Sequence, residues 1–168
     1  MLMPYLKLMN ESYSNQDAVE YVIQYIIRNS LYVGSATCST DPTECICQMK
    51  YIKAIWGKDQ GRQIRHFILS FSCQNEYVQM TELIQLGEQI AGYYDHSYQT
   101  IWAIHKSPKG NYHIHVAFNT VSYQDGRMYR EGREDLGRLA QYIRGLLPDT
   151  VGELNYNYGH SNESMELL

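Results

Sequence analysis

Three histidines carry the first chemical signal. His113 and His115 sit two residues apart in residues 112–121 (YHIHVAFNTV), and His105 ends the preceding apolar segment, residues 99–105 (QTIWAIH). In an extended strand, residues i and i+2 project from one face with Cα atoms about 7 Å apart. Two imidazoles so placed can both reach one metal ion at roughly 2 Å. The intervening Ser107-Pro108-Lys109-Gly110-Asn111 has turn composition, so an antiparallel hairpin is expected to return His105 to the side of the pair. Three imidazoles that leave positions open on a metal suit Lewis-acid polarisation of a carbonyl or phosphoryl oxygen. An HxH pair alone is a weak signal, because surface histidines often bind nothing. The third histidine strengthens it, as does the apolar set Tyr112, Ile114, Val116 and Phe118 on the other side of the strand. His66, His96 and His160 are scattered along the chain and form no comparable group.

Tyrosine is the second signal, with 16 in 168 residues. A phenol offers a stacking face for unpaired bases and a hydroxyl that can act as a nucleophile. It also packs well at core edges with its hydroxyl in water, so abundance does not choose between these uses. With a pKa near 10 it is weak at neutral pH, and it needs a base or a cation that offsets developing negative charge. A helix is predicted over residues 16–29, entered through Ser14 and Asn15, both favourable N-cap types. Val19, Val22, Ile23, Ile26 and Ile27 form its apolar stripe. At about 100° per residue, Tyr21 and Tyr25 fall off that stripe, one turn apart.

The elements that must position these groups follow from periodicity. Residues 4–9 read as a short first strand. Residues 66–72 (HFILSFS) alternate, with Phe67, Leu69 and Phe71 facing one way and His66, Ile68, Ser70 and Ser72 the other. Helices are predicted over residues 81–93 and 134–146, the latter with Leu136, Leu139, Ala140 and Ile143 at helical spacing. Residues 31–44 are turn-rich and read as a long loop, residues 57–61 as a break. The polar tail after Pro148 is expected to be poorly ordered. The order β-α-β-α-β-β-α predicts an α+β fold: a largely antiparallel central sheet with helices packed on one face and the histidine face open. The length suits one domain, residues 1–168.

Composition bounds the function classes. No run of 18 apolar residues spans a membrane, and the N-terminus lacks the pattern of a signal peptide. A cytoplasmic protein is therefore expected, with Cys38, Cys45, Cys47 and Cys73 as reduced thiols. Cys45-Ile46-Cys47 is not the CxxC pair of a zinc knuckle. The net charge of −4 argues superficially against nucleic acid. Basic residues nevertheless cluster, at Lys50, Lys53, Lys58, Arg62 and Arg65, and again from Lys106 to Arg144. Such segments on an acidic protein can bind phosphates, although they are more often solvated faces.

Residues 103–129 (AIHKSPKGNYHIHVAFNTVSYQDGRMY) resemble the three-histidine motif of conjugative relaxases of the MobA/MobL type, in the HUH endonuclease superfamily. Residues 66–71 (HFILSF), followed by Glu76, are similar to the strand motif before their second helix, and residues 18–26 (AVEYVIQYI) to their N-terminal tyrosine motif. The resemblance spans about residues 5–145. It implies a metal-dependent cut and reseal of single-stranded DNA at an origin of transfer, through a 5′-phosphotyrosine link. It implies Tyr25 as nucleophile with Tyr21 as runner-up, and His105, His113 and His115 as ligands to magnesium or manganese. Three imidazoles would also hold nickel, zinc or cobalt. Lys106, Lys109, Asn119, Arg127 and Arg130 are the expected DNA contacts. The implied partners are single-stranded DNA, accessory relaxosome proteins and a secretion-system coupling protein, in a bacterial cytoplasm. The chain would be a nicking domain, the N-terminal part of a longer protein.

One departure stands out. Many relatives have an acid two positions after the first histidine, where this chain has Ser107. Glu76, Asp17 or Glu20 are candidates to take its role. Two other readings stay open. One is a rolling-circle initiator or transposase of the same superfamily, with Tyr142 as a late tyrosine. The other is a non-catalytic single-stranded DNA-binding module.

Overall fold

A computed structural model describes residues 4–71, 79–148 and 153–158. In chain order the elements are β1 (Pro4–Leu8), α1 (Ala18–Ile27), β2 (Tyr32–Gly34), α2 (Pro42–Ile55), β3 (Ile64–Phe71), α3 (Met80–Asp95), β4 (Thr100–Lys106), β5 (Tyr112–Asn119), α4 (Asp135–Leu146) and β6 (Asn155–Tyr158). The strands form one sheet in the order β2-β4-β5-β3-β1-β6. Every neighbouring pair is antiparallel except β1 with β6, which run parallel. The α+β architecture, the largely antiparallel sheet and the β4–β5 hairpin match the reading of the sequence.

Strand alternation divides the core in two. Phe67, Leu69, Trp102, Ile104, Ile114, Val116 and Phe118 point to one face and pack against α3 and α4. The helices earn that contact with stripes at helical spacing: Leu83, Gly87, Ile90, Ala91 and Tyr94 on α3, and Leu136, Leu139, Ala140 and Ile143 on α4. Trp102 lies between β2 and α3. A Cβ added to Gly34 or Gly87 would come within 2.3 or 2.4 Å of its indole. Both positions must therefore lack a side chain.

The other face is covered as well, which corrects the expectation of helices on one face only. Ile64, Ile68, Ile101 and Ala117 of the sheet pack with Val19, Val22, Ile23 and Ile26 of α1 and Cys45, Ile46 and Met49 of α2. The expectation failed because α2 and β2 lie in the segment read as a loop and its continuation. Asp41 caps α2, accepting a hydrogen bond from the Glu44 amide at 2.9 Å, and Pro42 fills the first turn. Beyond that start signal α2 has little amphipathic contrast. Lys53 is buried while Tyr51 and Ile55 are exposed. β2 has three residues, too few to show alternation.

α1 begins at Ala18 after Asp17, rather than being capped by Ser14 or Asn15. In the polar tail, Asn155–Tyr158 forms β6 along the edge of β1; residues 149–152 and 159–168 lie outside the described residues. Residues 72–78, which include Glu76 and Cys73, do so too. Among the described residues no helix is long and apolar enough to cross a membrane.

Candidate functional site

The β4–β5 register sets the histidines. His105 pairs directly with His113, and Ala103 with His115, so all three imidazoles rise from one face. The hairpin turn is held by backbone bonds from Ser107 N–H to the Asn111 carbonyl at 2.8 Å and from Gly110 N–H to the Ser107 carbonyl at 2.8 Å. Gly110 has φ +89°, a conformation that favours glycine. The ligand nitrogens of His105, His113 and His115 lie within 4.8 Å of one another. Ring centroids are 4.5 Å apart for His105 and His115, and 5.0 Å for His113 and His115.

Each ring is oriented. The Nε2–H of His105 donates to the Ile26 carbonyl of α1 at 2.6 Å, which leaves its Nδ1 with a lone pair. Nδ1 of His115 lies 3.0 Å from Nε2 of His66, and Nε2 of His115 is buried with no hydrogen-bond partner among the described residues. Burial holds the imidazoles neutral. It lowers His113 to about 4, with a further push from His105, and lowers His105 against the opposing bond to Ile26. Burial first, then the neighbouring imidazoles, drive His115 well below its usual range. Neutral imidazole is the state that ligates metal. An unpartnered buried nitrogen costs about 1–3 kcal/mol, and a cation among these three rings would satisfy it. The residues present therefore fit a divalent metal.

Tyr25 precedes Ile26, so the bond that orients His105 also ties down the helix turn that carries the phenol. The Tyr25 ring stands edge-on to His115, with centroids 5.6 Å apart, and 6.1 Å from His66. It is half-buried; desolvation, then Tyr21 and Glu11, push its phenol above the usual 10. Tyr21, 52% exposed, sits one turn earlier. With Tyr13, Asn15 and Asp17 it lines an open cleft of about 510 Å³.

The other expected residues divide. Lys106 and Lys109 are exposed at the hairpin end nearest the histidines, Lys106 over the Tyr112 ring at 5.0 Å. Arg127 and Arg130 are exposed too, but they follow the far end of β5, whose last residue is four beyond His115, about 13 Å along the strand. Asn119 is a correction. It is fully buried and donates to the Met49 carbonyl at 3.1 Å and to Gln99 Oε1 at 3.0 Å, so it ties α2 to the sheet rather than facing a ligand. Ser107 accepts the Asn111 amide at 3.1 Å and serves the turn. Glu20 pairs with Lys50 at 2.9 Å. Tyr142 lies on α4, against the opposite face of the sheet, bonded to the Gln89 carbonyl at 2.8 Å.

His66 is the residue that sequence reading missed. Alternation put it on the right face of β3, but only the β3–β5 register, which pairs Ile68 with His115 and His66 with Ala117, reveals it as a diagonal neighbour of His115.

Comparison with known proteins bears on this arrangement. The family model described as relaxase, MobA/VirD2-like, nuclease domain, matches residues 25–148, a span that opens at Tyr25 and contains His66 and the three clustered histidines. No curated protein matches the sequence. A solved structure from work on the molecular basis of vancomycin resistance transfer in Staphylococcus aureus is similar, with a TM-score of 0.57 at 12% identity, over 95% of this chain and 99% of that one. At that identity the likeness concerns the fold.

Proposed function

The chain belongs to the MobA/VirD2-like relaxase nuclease domains, a family of DNA endonucleases of conjugative transfer, and from that premise we propose that it nicks and rejoins single-stranded DNA at an origin of transfer through Tyr25, beside a divalent metal held by His105, His113 and His115. One observation carries the reading. The helix turn that bears Tyr25 is bonded through Ile26 to His105, and the phenol ring stands against His115, whose buried Nε2 has no partner among the described residues.

The reaction balances with the groups at hand. The Tyr25 oxygen attacks the phosphorus and forms a phosphotyrosine bond. The bond from phosphorus to the 3′ oxygen breaks, the phenolic proton passes to water, and the departing strand takes up a proton as a free 3′ hydroxyl. Attack by that hydroxyl on the phosphotyrosine reverses each change and reseals the strand. A divalent cation would polarise the phosphate and offset its developing charge. Magnesium or manganese fits use in the cell, while nickel, zinc and cobalt suit three imidazoles well.

The chain's residues supply the rest. Tyr25 is too weakly acidic to ionise alone, so its reactivity depends on the cationic site beside it. Tyr21 and the cleft it lines offer a stacking surface for an unpaired base. Lys106 and Lys109 suit phosphates next to the histidines, and Arg127 and Arg130 suit a more distant stretch of DNA. Accessory relaxosome proteins and a secretion-system coupling protein complete the proposed assembly. The rolling-circle reading loses support because Tyr142 lies across the sheet from the histidines. The non-catalytic reading rests on Ser107, which is engaged in the turn and supplies no acid, and a cleavage assay separates that reading from nicking.

The test uses single-stranded DNA from an origin of transfer, labelled at its 3′ end. With Mn²⁺ a covalent protein–DNA band is expected, and chelation should remove it. DNA binding without cleavage under any divalent metal would contradict the proposal.

A further inference from the structure

We propose that His66 is a positioning residue: it accepts the Nδ1 proton of His115 and thereby holds His115 in the tautomer whose Nε2 can bind a cation. This rests on the reading of His105, His113 and His115 as a metal site.

Proton counting sets the tautomer. A neutral imidazole has one N–H and one lone pair. Between His66 Nε2 and His115 Nδ1, 3.0 Å apart, there is room for one proton. If His66 donates it, His115 accepts on Nδ1 and must carry its own proton on Nε2, aimed at the other two histidines with no lone pair to offer. If His115 donates it, Nε2 presents its lone pair to the cluster, and His66 carries its own proton on Nδ1. Only the second arrangement can ligate. His66 can sustain it because the ring is fully buried, its plane 23° from that of His115, and strand β3 holds it at the adjacent register. Its Nδ1 is buried without a hydrogen-bond partner among the described residues, so no hydrogen bond there selects the competing tautomer.

The fold also shows why an imidazole performs this task. A ligating histidine usually donates its other N–H to a carboxylate, a carbonyl or water. His105 has a carbonyl, that of Ile26. Among the described residues no carboxylate bonds to any of the three histidines: Ser107 stands in the turn, and Glu20 is taken by Lys50. His66 is the acceptor that remains for His115.

The test compares metal-free wild type with His66→Gln and His66→Leu, titrated with Co²⁺ and followed by calorimetry and visible absorption. Glutamine places an acceptor oxygen near the position of Nε2; leucine has none. The Leu variant should bind Co²⁺ about 10–100-fold more weakly, and the Gln variant within a few-fold of wild type. Thermal unfolding of the metal-free forms checks that all three are folded. A folded Leu variant with wild-type affinity, or a Gln variant as weak as Leu, would overturn the proposal. If the Leu variant does not fold, ¹⁵N-histidine NMR of the Zn²⁺-bound wild type decides: a proton on His115 Nδ1 with metal on Nε2 supports it, and the reverse overturns it. A wild type that binds no divalent metal would defeat the site reading itself, an outcome distinct from a variant that binds normally.

Discussion

On one face of the sheet, Phe67, Leu69, Trp102, Val116 and Phe118 pack against α3 and α4 and exclude water with apolar surface alone. On the other face, one residue along the same strands, His66, His105, His113 and His115 lie under α1. Both sets are largely buried, yet the chemistry differs. The aromatic face gains stability from burial at about 25 cal/mol per Å² of apolar surface. The histidine face carries buried ring nitrogens on His66 and His115 that no group among the described residues satisfies, which costs stability in the metal-free protein. A fold keeps such a cost where something else is to bind. The alternation of a single strand, β5, thus builds a core with Ile114, Val116 and Phe118 and a reactive centre with His113 and His115.

The comparison breaks most visibly on the aromatic side. Phe67→Ala should cost about 3–5 kcal/mol of unfolding free energy, measured by denaturant titration, with the Co²⁺ affinity of the folded molecules unchanged. If metal affinity falls in proportion, the two faces are coupled and the division is wrong. The converse substitution is His115→Leu. It should reduce metal affinity by more than the 10–100-fold expected for loss of an outer partner. It should change metal-free stability by no more than about 1–3 kcal/mol, because it removes the unsatisfied Nε2 of His115 but leaves Nε2 of His66 without its partner. A large loss of metal-free stability would show that the imidazole is a structural element.

Acid sharpens the same contrast more gently. His66 is held down to about 3 and His113 to about 4 by burial, with His105 adding to both. Unfolded histidine titrates near 6.5. Between these values the unfolded chain binds protons that the folded chain refuses, so stability is full above about pH 6.5 and falls as pH drops toward 4. The slope is about 1.4 kcal/mol per pH unit for each proton. Unfolding titrations of metal-free protein from pH 7 to 4.5 should show a shallower slope for His113→Gln and an unchanged slope for Phe67→Leu. Equal slopes in all three would contradict the assignment of acid sensitivity to the histidine face.

Much of this was legible in the sequence because it depends on local repeats. Spacing of two put His113 and His115 on one face, and a five-residue turn returned His105 to them. The stripes of α3 and α4 have clean helical periods. What stayed hidden depends on contacts distant in sequence. α2 reads poorly because its buried face includes Lys53, which reaches Thr120 Oγ1 at 3.3 Å, while Tyr51 and Ile55 point outward. With α2 unseen, and no local signal for which face α1 covers, the histidine face looked open. Asn119 has the residue type of a ligand contact, and only its bonds to Met49 and Gln99 show a buried clamp. His66 lies far from the other histidines in sequence, and the register of β3 against β5 is a tertiary fact that no single-strand pattern contains.

The central claim is that Tyr25 is the nucleophile at the three-histidine centre. Its most direct test is covalent capture of 3′-labelled single-stranded origin DNA in Mn²⁺ by wild type, Tyr25→Phe and Tyr21→Phe, with metal affinity measured on the same preparations. Tyr25→Phe should bind metal and DNA as wild type does but form no adduct, while Tyr21→Phe should still form it. An adduct that persists in Tyr25→Phe and disappears in Tyr21→Phe would contradict the claim.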